Sequence, residues 1–401
     1  MNKCTGLFTP IALLLLATII GCSDDHDDRK NDAGPVVEAY PNDDRLRLNH
    51  IQIMGTHNSY HPSSAPEPMA TVVREQYSFY ESLTGDYRHK PLYEQLDQLG
   101  VRHLELDVNA DPDGGNFSER PLLATVGAET ATGIAALDQP GIKVFHVPQI
   151  DAESTCNLFT ECLSIVKQWS DENPGHVPII IMIEVKDIDF FQTATYLPIT
   201  AWQVEDYDRL DAEIRSVFPP EQLITPDDVR GDFTTLEQAI LTEGWPTLAQ
   251  TRGRVMFTMC NCFGDDRRRL DYEIGYENLV GRVLFPNSKP GNPDAAVVHL
   301  ESPEVDQEEI QRLAALGYFI RTRADANTRE ALENNTSRRE AAFTSGSHYI
   351  ATDFPEPAET AHPDYFVQIP GGTPAACNPI TAPDWCRSED IENPAYLSQS
   401  D

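Results

Sequence analysis

The stretch His103-Leu104-Glu105-Leu106-Asp107-Val108 limits the possible folds more than any other. Alternate side chains of a strand point to opposite faces, so Leu104, Leu106 and Val108 share one face while His103, Glu105 and Asp107 share the other. A second run, Pro178-Ile179-Ile180-Ile181-Met182-Ile183, is apolar on both faces until Glu184, the pattern of a parallel strand covered on both sides. Parallel strands need crossover connections, and segments of helical period at 92–99, 158–170, 207–217, 235–242, 303–316 and 328–344 provide them. Strands are predicted at 51–55, 102–108, 143–147, 178–185, 254–259, 296–300, 318–322 and 349–353. Eight strands alternating with helices close a TIM-type (β/α)8 barrel, in which one strand face meets the helices and the other fills the lumen. The stretches 110–140 and 187–250 exceed a minimal connection and are expected at the barrel mouth.

That arrangement puts Glu105 and Asp107 in the lumen, where two ionised carboxylates repel unless a cation lies between them. Glu184, a lone acid at the C-terminal end of its strand, adds a third, and Asn58 just past the first strand brings an amide oxygen. An all-oxygen set suits calcium, with magnesium as the alternative, rather than zinc. Two simpler readings stay open: a solvated acidic face for Glu105 and Asp107, and a salt bridge from Glu184 to Lys186 or another basic residue.

His57 follows strand 51–55 and His146 lies in strand 143–147, and both can exchange protons near neutrality. His61, His103, His176, His299 and His348 lack that placement and read as structural. A metal with two mouth histidines suits phosphodiester cleavage: the metal holds a phosphate oxygen, one histidine steadies the phosphorane and the other protonates the leaving oxygen. No Gly-x-Ser-x-Gly elbow and no Gly-rich phosphate loop occurs, so acyl transfer and nucleotide chemistry fall away. Lys186, Arg321 and Arg323, at or near strand ends, are candidates for binding substrate phosphate or headgroup oxygens, or for pairing with the barrel's own acids.

Acidic residues outnumber basic ones 64 to 30, a net charge of -34 that repels nucleic acid and argues against a nucleic-acid partner. Residues 1–21 carry Lys3 and an apolar run over 11–20, a secretory signal too short to span a membrane comfortably. Ile19-Ile20-Gly21-Cys22 resembles a bacterial lipobox. It implies export, acylation of Cys22 and, from Ser23, an outer-membrane or cell-surface position; an ordinary signal peptide is the alternative. Residues 22–45 then form the acylated cysteine and a flexible tether, 46–356 the catalytic barrel and 357–401 a C-terminal extension, in a chain expected to be monomeric. In an exported protein the six later cysteines read as local disulfides, Cys156 with Cys162, Cys260 with Cys262 and Cys377 with Cys386, the middle pair closing a strained ring. Their spacings lack the paired motif of a zinc site.

The sequence also resembles the calcium-dependent phosphoinositide phospholipase C family, in particular its bacterial secreted branch, within the wider phospholipase-C-like phosphodiesterase barrels. The likeness lies in Gly55-Thr56-His57-Asn58-Ser59-Tyr60, Glu105-Leu106-Asp107, Phe145-His146-Val147-Pro148 and Ile183-Glu184-Val185-Lys186, and extends to Arg321-Thr322-Arg323-Ala324-Asp325 and Ala351-Thr352-Asp353. The resemblance implies calcium held by Asn58, Glu105, Asp107 and Glu184. It implies that the inositol 2-hydroxyl attacks phosphorus to give diacylglycerol and a cyclic inositol phosphate. His57 would steady the phosphorane, His146 protonate the leaving group and Glu184 serve as a candidate base. The nearest rival, a glycerophosphodiester phosphodiesterase, typically has Arg-Gly after its first histidine, where Asn58-Ser59 stands here. A surface lipoprotein that binds headgroups without turnover is the other reading, against which His57 and His146 both speak.

Overall fold

The structure is a computed structural model that describes residues 40–63, 65–78, 86–187, 201–260 and 266–392. The signal segment, Cys22 and most of the tether lie outside the described residues. Among the described residues eleven strands join in one sheet: β1 (Ile51–Thr56), β2 (His103–Asn109), β3 (Lys143–Val144), β4 (Ile179–Val185), β5 (Leu223–Ile224), β6 (Val255–Met259), β7 (Leu284–Pro286), β8 (Val297–His299), β9 (Phe319–Arg323), β10 (Tyr349–Thr352) and β11 (Ala375–Cys377).

Parallel pairing runs β1-β2-β4-β6-β7 on one side and β1-β10-β9-β8 on the other. The ring closes where Asn287, just past β7, bridges Val297 of β8 and Ser288 N–H donates to Val297 O at 3.0 Å. This is the expected TIM-type barrel, built of eight parallel strands among the described residues. At the β1–β2 seam Gly55 faces His103, and a side chain at Gly55 would collide with the His103 carbonyl oxygen, so only glycine lets these strands pair.

The count of eight holds with one member exchanged. Segment 143–147 is not a barrel strand: β3 is two residues long and lies antiparallel on Val108 and Asn109 at the end of β2. Lys143 is buried, its ammonium donating to Gln139 O at 2.6 Å and Gly141 O at 2.9 Å and pairing with Asp111, and the chain then turns back on itself where Val147 and Asp151 pair through their backbones. The eighth barrel strand is β7, three residues ending in Pro286 and too short to stand out by periodicity. Helix Pro303–Leu316 forms as predicted, with Pro303 in its first turn, Glu304 and Asp306 at its positive end, and Gly317 left-handed just past its last turn. The predicted helix 328–344 is two, Arg329–Glu333 and Ser337–Thr344, interrupted at left-handed Asn334.

Beyond the barrel, β11 pairs antiparallel with the start of β1, and buried Glu392 pairs with buried Arg102, one residue before β2. Disulfides join Cys156 to Cys162 and Cys377 to Cys386, with Cα separations of 5.3 and 6.0 Å. Cys260 is disulfide-bonded as well, and its expected partner Cys262 lies outside the described residues.

Candidate active site at the barrel mouth

On β2 the alternation works as read: Leu104, Leu106 and Val108 join the hydrophobic core, while Glu105 and Asp107 face the lumen. Register sets Asp107 opposite Glu184 of β4, so Glu105, Asp107 and Glu184 each bring one oxygen to within 4.8 Å of the others. All three are buried. Burial raises Glu105, with Asp107 and Glu184 adding to the rise and Arg321 pulling against it. Burial also raises Asp107 against the pull of Lys186. On Glu184 burial is outweighed by Lys186, which holds the carboxyl at about 2. Lys186 Nζ lies 2.6 Å from Glu184 Oε1 and 2.8 Å from Asp107 Oδ2. Three buried carboxylates crowded this closely repel unless positive charge lies among them, and their all-oxygen donor set fits calcium.

Asn58 adopts a left-handed backbone, φ 47°, directly after His57. Its Nδ2 donates to the Tyr87 hydroxyl at 2.7 Å, and its Oδ1 accepts from Tyr60 at 3.3 Å. The Tyr60 hydroxyl is raised by burial and then by Asp107.

Each of the two expected histidines rests on a carboxylate. His57 Nδ1 is 2.7 Å from Asp353 Oδ1, and its Nε2 faces Glu105 Oε1 at 3.8 Å. Burial, then Arg323, pulls His57 down to about 3 against the opposing effect of Asp353. Asp353 itself is held at about 2, since His57 and Arg323 together outweigh its burial. His146 Nδ1 is 2.9 Å from Asp151 Oδ2, and His61 Nε2 takes the other oxygen of Asp151 at 2.8 Å. Burial would raise Asp151, but the two histidines hold it well below the usual carboxylate range.

The basic candidates are engaged with acids: Lys186 as above, Arg321 with Glu105 and with Glu301 at 2.5 Å, and Arg323 with Asp353 at 3.0 Å. A pocket of about 490 Å³ brings His57, His146, Glu105, Glu184, Lys186, Arg321 and Arg323 together, with Asp107 against Lys186 and Asn58 bonded to the lining Tyr87. Sequence reasoning missed Asp353, Asp151 and His61 as partners, and Tyr87, His299, Glu301 and Arg338 as lining. Asp353 had a signal, as the first polar residue past the last barrel strand. Asp151 had none, because a bend in the loop brings it under His146.

Phosphodiester chemistry on a TIM-type barrel is the class that this fold and site define. A family model described as "Phosphoinositide phospholipase C, Ca2+-dependent" matches residues 46–379, and the chain belongs to that family. No curated protein matches the sequence. Among solved structures, a calcium-dependent phosphoinositol-specific phospholipase C from Pseudomonas sp. is 17% identical, with 84% of this chain and 97% of that one covered at a TM-score of 0.51. Its myo-inositol complex is 16% identical, with 85% and 99% covered and a TM-score of 0.51. A Ca2+-dependent phosphatidylinositol-specific phospholipase C from Streptomyces antibioticus is 17% identical, with 77% and 95% covered and a TM-score of 0.47. The Pseudomonas likeness supports the fold.

Proposed function

We propose that this enzyme cleaves phosphatidylinositol-type lipids, releasing diacylglycerol and forming a cyclic inositol phosphate by attack of the inositol 2-hydroxyl on phosphorus. The observation that carries the reading is a pair of imidazoles, each tied through Nδ1 to a buried carboxylate, lining a pocket with Glu105 and Glu184 of the three-carboxylate cluster. Asn58, Glu105, Asp107 and Glu184 would hold the metal, which when bound supplies charge neutralisation at the phosphate oxygens.

Asp353 is ionised beside His57 Nδ1, so that nitrogen carries the proton and Nε2 presents its lone pair. A neutral imidazole oriented this way takes the 2-hydroxyl proton. That role differs from the phosphorane-steadying one implied by the resemblance, and Glu184, engaged either with Lys186 or as one of the residues that would hold the metal, is the weaker base. His146, oriented by Asp151, delivers a proton to the departing diacylglycerol oxygen. Arg323, on the far side of Asp353, faces the pocket and is placed to meet phosphate. Export through residues 1–21, anchoring through acylated Cys22 and a monomeric state belong to the same proposal.

The test is an assay of phosphatidylinositol, glycerophosphoinositol and glycerophosphocholine with calcium, with magnesium and with chelator. Calcium-dependent cyclic inositol phosphate from phosphatidylinositol, lost in His57→Ala and His146→Ala, is the expected result. Cleavage of water-soluble glycerophosphodiesters alone would move the enzyme to the rival activity. Absence of turnover by metal-loaded protein would leave a headgroup-binding module.

A further inference from the structure

Lys186 puts an ammonium group inside the carboxylate cluster. It stands two residues past Glu184, and its Nζ bridges Glu184 Oε1 at 2.6 Å and Asp107 Oδ2 at 2.8 Å, two of the three clustered acids. The third, Glu105, is paired with Arg321. Oxygens within 4.8 Å of one another enclose one cation position, and an ammonium and a dication sharing it would repel strongly at low dielectric.

The two resident cations differ in their freedom to leave. The Arg321 side chain is 4% exposed and tied at its other edge to Glu301 at 2.5 Å, so moving it would strip two acids at once. The Lys186 side chain is 16% exposed, lines the pocket and carries its charge on a flexible four-carbon stem.

We infer that Lys186 is a built-in competitor for the calcium position: its ammonium leaves Asp107 and Glu184 when calcium takes their oxygens, and so sets the calcium concentration at which the site fills. Once displaced, the ammonium turns into the pocket, on the side where substrate phosphate enters. The residue thereby exchanges a carboxylate partner for a phosphate partner, and calcium occupancy is coupled to anion binding. This rests on the reading of the carboxylate cluster as the calcium site.

Calorimetric titration of the full chain with calcium chloride, comparing the wild type with Lys186→Met and Lys186→Arg, tests it. Lys186→Met removes the competing charge while keeping the stem, and is expected to bind calcium about tenfold tighter or more, with Lys186→Arg close to the wild type. A second readout needs no variant: acetylation of Lys186 by an amine-reactive reagent, followed by peptide mass spectrometry, should speed up when calcium is added, while exposed Lys289 stays constant. Unchanged or weaker calcium binding by folded Lys186→Met overturns the inference, as does Lys186 acetylation that ignores calcium. If Lys186→Met does not fold, the acetylation result decides alone. A wild type that binds no calcium overturns the metal reading together with it, whereas a wild type that binds while Lys186→Met binds no tighter overturns this inference only.

Discussion

The two histidines of the mouth are held by different means. His57 stands one residue past β1 and Asp353 one residue past β10, on adjacent parallel strands in register at Thr56 and Thr352. The ladder continues through His57 N–H, which donates to Thr352 O at 3.0 Å, so backbone pairing alone delivers the dyad. His146 and Asp151 sit instead in a loop. That loop closes on itself where Val147 and Asp151 exchange backbone bonds of 2.8 and 2.9 Å, and it is pinned from outside by Asn109 Nδ2 on Phe145 O and by His61 on Asp151. A strand-borne group inherits its position from the sheet, whereas a loop-borne one depends on a few side chains. Removing a support should therefore cost little stability on the first side and more on the second.

The largest effect is common to both sides. Chelation of calcium should reduce phosphatidylinositol turnover at least about a thousandfold, and persistence of activity in chelator would detach both histidines from the carboxylate cluster. His57→Ala and His146→Ala should each lose about a thousandfold or more in kcat while remaining folded by circular dichroism. A substrate whose leaving group needs no proton, such as a nitrophenyl inositol phosphate, separates them: it should restore about a hundredfold to His146→Ala and nothing to His57→Ala. Equal rescue of both would break the assignment of acid and base.

Asp353→Asn should cost about a hundredfold in kcat by releasing the His57 tautomer, with the thermal midpoint falling modestly because the strands still pair. Asp151→Asn should cost a similar factor and more stability, since one carboxylate there serves two histidines. The smallest and sharpest change is His61→Ala, which touches neither substrate nor metal in this reading. It should lower kcat about tenfold through His146 while leaving KM unchanged. A His61→Ala enzyme with wild-type kcat would show that the loop holds His146 without it.

Much of this site was legible in the chain because strands have period two. Knowing only that His103–Val108 is a strand puts Glu105 and Asp107 together, and the all-apolar run before Glu184 puts that acid at the end of a buried neighbour. His146 was singled out for the wrong reason. Its segment is a two-residue antiparallel addition to β2 rather than a barrel strand, and the true eighth strand, Leu284–Pro286, was hidden by its brevity.

The sequence by itself determined the strand faces, the acidic character of the lumen, the two histidines and the alternation that makes a barrel, because these follow from residue type and local period. Only the tertiary structure decided the partners. Asp353 meets His57 across 296 positions and Glu105 meets Arg321 across 216, while Asp151 reaches His61 over 90. No local pattern encodes such pairings. They exist because closing the barrel brings distant strand ends to one rim, where buried charges must find opposite charges or remain uncompensated.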